Sequence, residues 1–253
     1  MKTGTVHLVG AGPGAADLLT VRAARLLAEA DIVFHDALVP QDVLELIRTK
    51  ALVPVGKRCG KHSTAQRFIN KRLLDAARRY RTVVRLKGGD PMMFGRAQEE
   101  ISFLVQHGVR IEVVPGITAA LAASAQLGVS LTQRGVSRSV VFATPRAAEH
   151  EAPSGWARAV AAADTAVLYM AAGDGASVRD ALLAAGVKPD TPVAVAENVS
   201  RDGYRMQAGF LDRLPELALS SGGPALVLVG DVFAALQAAA RRERAPLAAS
   251  HRA

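Results

Sequence analysis

The chain has 253 residues, half of them hydrophobic and 21% charged, a length and mixture that can bury the core of two modest α/β domains and that exclude an intrinsically disordered chain. Its single cysteine, Cys59, excludes an internal disulfide framework and a cysteine-cluster metal site, and fits a reducing, cytoplasmic setting. Lys and Arg outnumber Asp and Glu by 31 to 23, and the resulting net charge of +8 suits an anionic partner such as a polycarboxylate or a phosphate.

Residues 5–10 form a short β-rich run with no long apolar leader ahead of it. The run ends in Gly10-Ala11-Gly12-Pro13-Gly14, and Leu18, Leu19, Val21, Ala24, Leu26 and Leu27 follow at helical spacing, which predicts strand, glycine loop, helix. A second strand is expected at 31–34, a helix around 43–47, and a third strand at 52–55 ending at Gly56. After a basic loop at 56–61, an amphipathic helix at 65–80 leads to the β-branched strand 82–86, which stops at Lys87-Gly88-Gly89-Asp90-Pro91. A helix over 96–107 and a strand over 111–114, ending at Pro115-Gly116, complete this half. Strands alternating with helices predict a parallel sheet with helical crossovers.

Pro115 and Gly116 let the chain turn, and the small-residue helix 119–127 reads as a connector. The boundary is placed there, giving an N-terminal α/β domain over 1–117 and a C-terminal α/β domain over 118–242. The second half is expected to repeat the style of the first. Its strands fall at 139–143, 166–170, 193–196 and 225–229, its helices at 178–185 and 233–242, with a polar surface loop over 146–155. Residues 243–253 read as a flexible basic tail, and the stretch after Ala240, with Arg241, Arg242, Arg244 and Arg252 against Glu243, holds part of the positive surplus. Aromatics make up only 4% and do not interleave with cations, so no nucleic-acid partner is expected. No apolar run reaches the roughly 18 residues of a bilayer span, so none is expected in a membrane.

The loop Gly10-Ala11-Gly12-Pro13-Gly14 invites a dinucleotide-binding reading, with Asp31 or Asp36 as ribose partner, because backbone amides between a strand and a helix can cradle a phosphate. Two details weaken it. The third glycine of that fingerprint is Ala15, and Pro13 removes an amide donor. Two further glycine turns, Lys87 to Gly95 and Val114-Pro115-Gly116-Ile117-Thr118, close other strands, and several such turns at the carboxyl edge of one sheet form a nucleoside-sized site.

With Leu8 to Gly14, Asp36-Ala37-Leu38-Val39, Val55-Gly56-Lys57-Arg58 with Lys61-His62-Ser63, Val84 to Pro91, Phe94-Gly95-Arg96 with Glu99-Glu100, Val114 to Thr118, Leu131-Thr132-Gln133-Arg134, Tyr169-Met170, Pro192 to Asn198 and Pro224-Ala225-Leu226, the chain resembles the tetrapyrrole methyltransferase family, and its uroporphyrinogen-III branch most closely. The resemblance implies two α/β domains with a cleft between them, a homodimer, and S-adenosyl-L-methionine bound in the cleft without a metal, leaving S-adenosyl-L-homocysteine as product. By matching position, Pro13, Gly88, Gly89, Asp90, Met93, Thr118, Ala119, Met170 and Ala225 would contact the cofactor. The chemistry of those residues agrees: glycines admit main chain to a ligand, Asp90 can accept from hydroxyls or an ammonium, and Met170 is a soft neighbour for adenine or sulfonium.

The implied reaction is C-methylation of uroporphyrinogen III at C-2 and C-7, giving precorrin-2 through precorrin-1. A second reading within the family is methylation of a later precorrin. The resemblance makes Asp36 the proton acceptor and Lys57 the proton donor, and puts Arg96 in the catalytic group. The substrate's carboxylates give the basic residues Arg58, Lys61, His62, Arg96 and Arg134 a role, with Glu99 orienting Arg96 or meeting a pyrrole N–H. Four places depart from the family pattern: His35 replaces a common Tyr, Gln133 a common His, Ala143-Thr144-Pro145-Arg146 a common Thr-Gly-His turn, and Val199 a typical Gly, which a backbone contact tolerates only at negative φ.

Overall fold

The computed structural model describes residues 3–55, 66–147, 154–217 and 222–237. Lys57, Arg58, Cys59, Lys61 and His62, most of the 146–155 loop and the basic tail lie outside the described residues. The chain divides into two compact units, Met1–Ala122 and Ala123–Ala253, so the division falls inside the small-residue helix rather than ahead of it.

The first unit runs β1 (Thr5–Gly10), α1 (Val21–Glu29), β2 (Ile32–His35), α2 (Gln41–Leu44), β3 (Leu52–Pro54), α3 (Gln66–Ala77), β4 (Thr82–Lys87), α4 (Ala97–Gln106) and β5 (Arg110–Val114), followed by α5 (Ala119–Leu127). Its five strands form one sheet in the order β3-β2-β4-β1-β5, parallel at every pairing. Parallel strands buried on both faces need apolar residues at consecutive positions. On β4, Val83 joins a core with Ile69, Leu73 and Leu104 of α3 and α4, while Val84 and Leu86 join a second core with Ala23 and Leu27 of α1 and Val43 of α2. Thr20 caps α1 by accepting from the Ala23 amide at 3.1 Å.

The topology fixes where a ligand can sit. From β1 the chain crosses the sheet toward β2, whereas from β4 it crosses the opposite way toward β5, although β1 and β4 are neighbours. The two crossovers lie on opposite faces of the sheet, with α1 in one core and α4 in the other, and loops that leave adjacent strands for opposite faces open a crevice beyond the carboxyl ends. Asp31 cannot serve a ligand there: it stands ahead of β2, at the amino edge, where its carboxylate accepts from the amides of Arg81 and Thr82 at 3.0 and 2.8 Å.

The second unit departs from the expected repetition. It contains β6 (Val140–Ala143), α6 (Trp156–Ala161), β7 (Thr165–Tyr169), α7 (Gly175–Ala184), β8 (Pro192–Glu197), β9 (Arg205–Phe210) and β10 (Ala225–Gly230). Their order is β6-β7-β10-β8-β9, and only β6 and β7 pair in parallel; β10 runs antiparallel to β7 and β8, and β9 antiparallel to β8. Strand β9 and helix α6 stand where no element was expected. Of the helix expected at 233–242, the described part ends at Gln237.

Candidate active site

Three glycine turns of the first unit lock together at the carboxyl edge of its sheet. The Ala11 amide donates to the Lys87 carbonyl at 2.7 Å, and Gly12 and Gly89 exchange backbone hydrogen bonds at 3.2 and 2.7 Å. A methyl group on Gly10 would lie 2.6 Å from the Cα of Gly116 and 2.7 Å from the Gly89 oxygen, so the three main chains touch directly and no side chain fits between them. Gly12 and Gly89 also take left-handed backbone, at φ +71° and +68°.

Asp90 braces this hub. Its Oδ2 accepts from the Gly116 amide at 2.9 Å and its Oδ1 from the Met92 amide at 2.8 Å, tying the second turn to the third. Gly88, Gly89, Asp90 and Met93 are half-buried there, Pro13 and Thr118 are buried, and Ala119 opens α5 half-buried. The turn then runs through Phe94 and Arg96, both left-handed at φ 51° and 55°. Arg96 forks onto Glu99 through Nε and Nη2, each 2.7 Å from a carboxylate oxygen. That bidentate bond holds the Glu99 carboxyl below the usual carboxylate range and raises Arg96 further above its ordinary value.

Asp36 follows β2, next to the carboxyl end of β4, and its amide donates to the Leu86 carbonyl at 3.2 Å. His35 precedes it, with ring Nδ1 3.2 Å from the Asp36 carbonyl. The Asp36 carboxylate is a member of a buried ionic network that sequence reasoning missed. Arg85, 2% exposed, reaches Asp36 Oδ1 through Nη2 at 2.5 Å and Glu100 Oε1 through Nε at 3.2 Å. Lys87, 4% exposed, sits 3.2 Å from both oxygens of Glu100, which is fully buried and also accepts from Gln66 Nε2 at 3.0 Å. Burial pushes the Lys87 ammonium below its ordinary pKa, the neighbouring Arg85 charge pushes the same way, and Glu100 and Asp36 oppose them. A signal was present: in Val83-Val84-Arg85-Leu86-Lys87, two cations stand at alternate positions of a strand that must be buried on both faces, and such cations need buried anions.

The second unit gathers the other expected contacts at one edge of its own sheet. Met170 follows β7 with left-handed backbone, φ 55°, and 50% exposure. Ala225, half-buried, opens β10 and pairs with Glu197 at the end of β8. Asn198 and Ser200 are left-handed as well, at φ 52° and 57°, whereas Val199 between them is not, so valine stands in the glycine's place without backbone strain. Glu197 is 3% exposed, and its Oε1 has no hydrogen-bond partner among the described residues. Arg134 lies on an exposed turn closed by the Gln133–Ser137 bridge.

Residues 5–215 match the family model described as tetrapyrrole (corrin/porphyrin) methylases. The chain is 43% identical over 234 residues to a uroporphyrinogen-III C-methyltransferase of Pseudomonas aeruginosa, an alignment covering 91% of this chain and 94% of that protein. It is 45% identical over 232 residues to siroheme synthase 1 of Klebsiella pneumoniae, covering 91% of this chain and 49% of that protein. The chain thus spans about half the length of the siroheme synthases it matches. Among solved structures, a uroporphyrin-III C-methyl transferase from Thermus thermophilus complexed with S-adenyl homocysteine superposes with a TM-score of 0.81 at 39% identity, over 92% of this chain and all of that one. With its two α/β units, one sheet parallel and the other mixed, and its interlocked glycine turns, the chain belongs to the tetrapyrrole methylase family.

Proposed function

We propose that this chain is an S-adenosyl-L-methionine-dependent C-methyltransferase that methylates uroporphyrinogen III at C-2 and C-7 to give precorrin-2 by way of precorrin-1. The observation that carries the reading is the hub of Gly10, Gly89 and Gly116 with an acidic side chain, Asp36, beside it at the same sheet edge. The residues fit the cofactor. The turns present bare main chain to a nucleoside-sized ligand. Bound S-adenosyl-L-methionine supplies a methyl group already activated by positive sulfur, so the protein's tasks are alignment, exclusion of water and movement of protons.

In this reading Pro13, Gly88, Gly89, Asp90, Met93, Thr118, Ala119, Met170 and Ala225 hold the cofactor. Asp90 acts first as a brace, because both its oxygens already bind loop amides. Asp36 accepts the proton that the cationic ring sheds once the methylated carbon has become quaternary, and Lys57 donates one. Arg58, Lys61, His62, Arg96 and Arg134 meet the substrate's carboxylates, and Glu99 keeps the Arg96 fork aimed. The enzyme acts as a cytoplasmic homodimer.

Enzymatically generated uroporphyrinogen III, incubated with the protein and S-adenosyl-L-methionine and followed by mass spectrometry, is expected to gain two methyl groups. A product without added methyl refutes the reading. Methylation of a later precorrin alone moves the activity along the same family.

The exposed Arg96–Glu99 pair tests the substrate side. Arg96→Ala is expected to lower turnover of uroporphyrinogen III by about 10-fold or more while S-adenosyl-L-homocysteine affinity stays within about 2-fold, since the pair lies beyond the hub and contributes little to the fold. Parallel loss of both in kinetic and calorimetric titrations would instead make Arg96 part of the cofactor site.

A further inference from the structure

Arg85 has no role in the chemistry proposed above, yet the fold buries its guanidinium on the central strand of the first sheet. Burial of that group is costly unless every donor is met by a placed acceptor. All three nitrogens are met: Nε by Glu100 Oε1 at 3.2 Å, Nη1 by the Leu86 carbonyl at 3.1 Å, and Nη2 by Asp36 Oδ1 at 2.5 Å. The Leu86 carbonyl is also the acceptor for the Asp36 amide, at 3.2 Å. One rigid fork therefore grips Asp36 twice, through its carboxylate and through its main-chain partner. The far side of the fork is anchored in turn, because Glu100 is fixed by both Lys87 contacts and by Gln66.

We propose that Arg85 is the positioning residue of Asp36, clamping Oδ1 so that Oδ2 faces the reaction, and that Glu100 is the buried anchor that holds Arg85 in place. Oδ2 makes no hydrogen bond among the described residues, which leaves one oxygen of a fixed carboxylate to receive a proton. The chain spends two buried cations and a buried anion beneath a single half-exposed carboxylate, an arrangement that would serve no purpose for a solvated turn aspartate. Lysine in place of Arg85 keeps the charge but loses the fork, so it separates orientation from charge balance.

The inference rests on the reading of Asp36 as proton acceptor, and the test is a double-mutant cycle of Arg85→Lys with Asp36→Glu in the uroporphyrinogen III assay, with S-adenosyl-L-homocysteine titration and thermal melting on each protein. Asp36→Glu keeps a carboxylate and a measurable rate. Arg85→Lys is expected to lower kcat about 10-fold or more with KM and S-adenosyl-L-homocysteine affinity within about 3-fold, and to cost less than about 3-fold in the Asp36→Glu background, because the clamp is already misaligned there. Glu100→Gln is a second route to the same loosening and is expected to show the same non-multiplicative loss with Asp36→Glu. Losses that multiply in both cycles, or affinity that falls in step with kcat, overturn the positioning role. A wild-type protein that transfers no methyl refutes the functional reading itself, and the inference falls with it; a wild-type protein that does, with multiplicative losses, overturns only the role of Arg85.

Discussion

Glu100→Ala is expected to lower the free energy of unfolding by about 3–5 kcal/mol, read by chemical denaturation at neutral pH. Glu100 is fully buried and is the shared acceptor of Arg85, Lys87 and Gln66. Truncation leaves two cations, 2% and 4% exposed, facing each other, with Asp36 the carboxylate still paired to Arg85 among the described residues. Exposed pairs such as Arg96–Glu99 are generally worth less than about 1 kcal/mol, so the loss at Glu100 exceeds what any surface ion pair here can produce.

The loss has a pH signature whose sign follows from Lys87. Its pKa is already below the ordinary lysine value because of burial and Arg85, and Glu100 is a group that raises it. Without Glu100 it falls further. The unfolded chain then holds the Lys87 proton more tightly than the folded one, and stability rises with pH wherever the unfolded state binds more protons. The deficit of Glu100→Ala is therefore full below the folded-state value and shrinks as pH rises from it toward the ordinary lysine value of 10.5. A deficit constant across that range would show that the cost is a cavity rather than unbalanced charge.

The same network shows where the sequence was legible and where it was not. The glycine turns could be read because glycine at a strand end has a local cause: a backbone angle or a close approach that no other residue allows. They stand in the structure as expected, at one sheet edge. Arg85 and Lys87 were harder because their cause is not local. Their anion lies on α4, in an adjacent pair of glutamates, Glu99 and Glu100, of which one is exposed and the other fully buried, and only the packed helix decides which.

The second unit failed to repeat the first for a comparable reason. β9 carries Arg205, Met206, Gln207, Ala208, Gly209 and Phe210, without the β-branched run that marked the other strands, because an edge strand need not bury both faces. The sequence did hold a turn signal, Asp202-Gly203, with Gly203 at φ +73° between β8 and β9, and an aspartate-glycine pair between strands announces a hairpin rather than a helical crossover. Extending the βα rhythm of the first half hid that signal.

Gly10→Ala is expected to cost about 3 kcal/mol, the upper end of overpacking, and to abolish measurable S-adenosyl-L-homocysteine binding. The added methyl would meet the Cα and nitrogen of Gly116 at 2.6 Å and the Gly89 oxygen at 2.7 Å, all backbone atoms with no rotamer through which to withdraw. Nor can Gly10 itself shift freely, since it closes β1 in register with Lys87 of β4. The three turns must separate, and their separation breaks the Gly12–Gly89 exchange and the Asp90–Gly116 brace together. Gly108→Ala is the control. Its φ of +70° imposes a conformational cost of roughly 1–2 kcal/mol, but it stands ahead of β5, at the amino edge of the sheet, and a methyl there meets nothing within 4 Å, so the hub stays closed. Thermal melting with calorimetric titration of both variants separates the two causes: binding lost in Gly10→Ala but kept within about 10-fold in Gly108→Ala supports contact between the main chains as the feature that shapes the site. If Gly10→Ala binds as tightly as the parent, the hub is not where the cofactor sits.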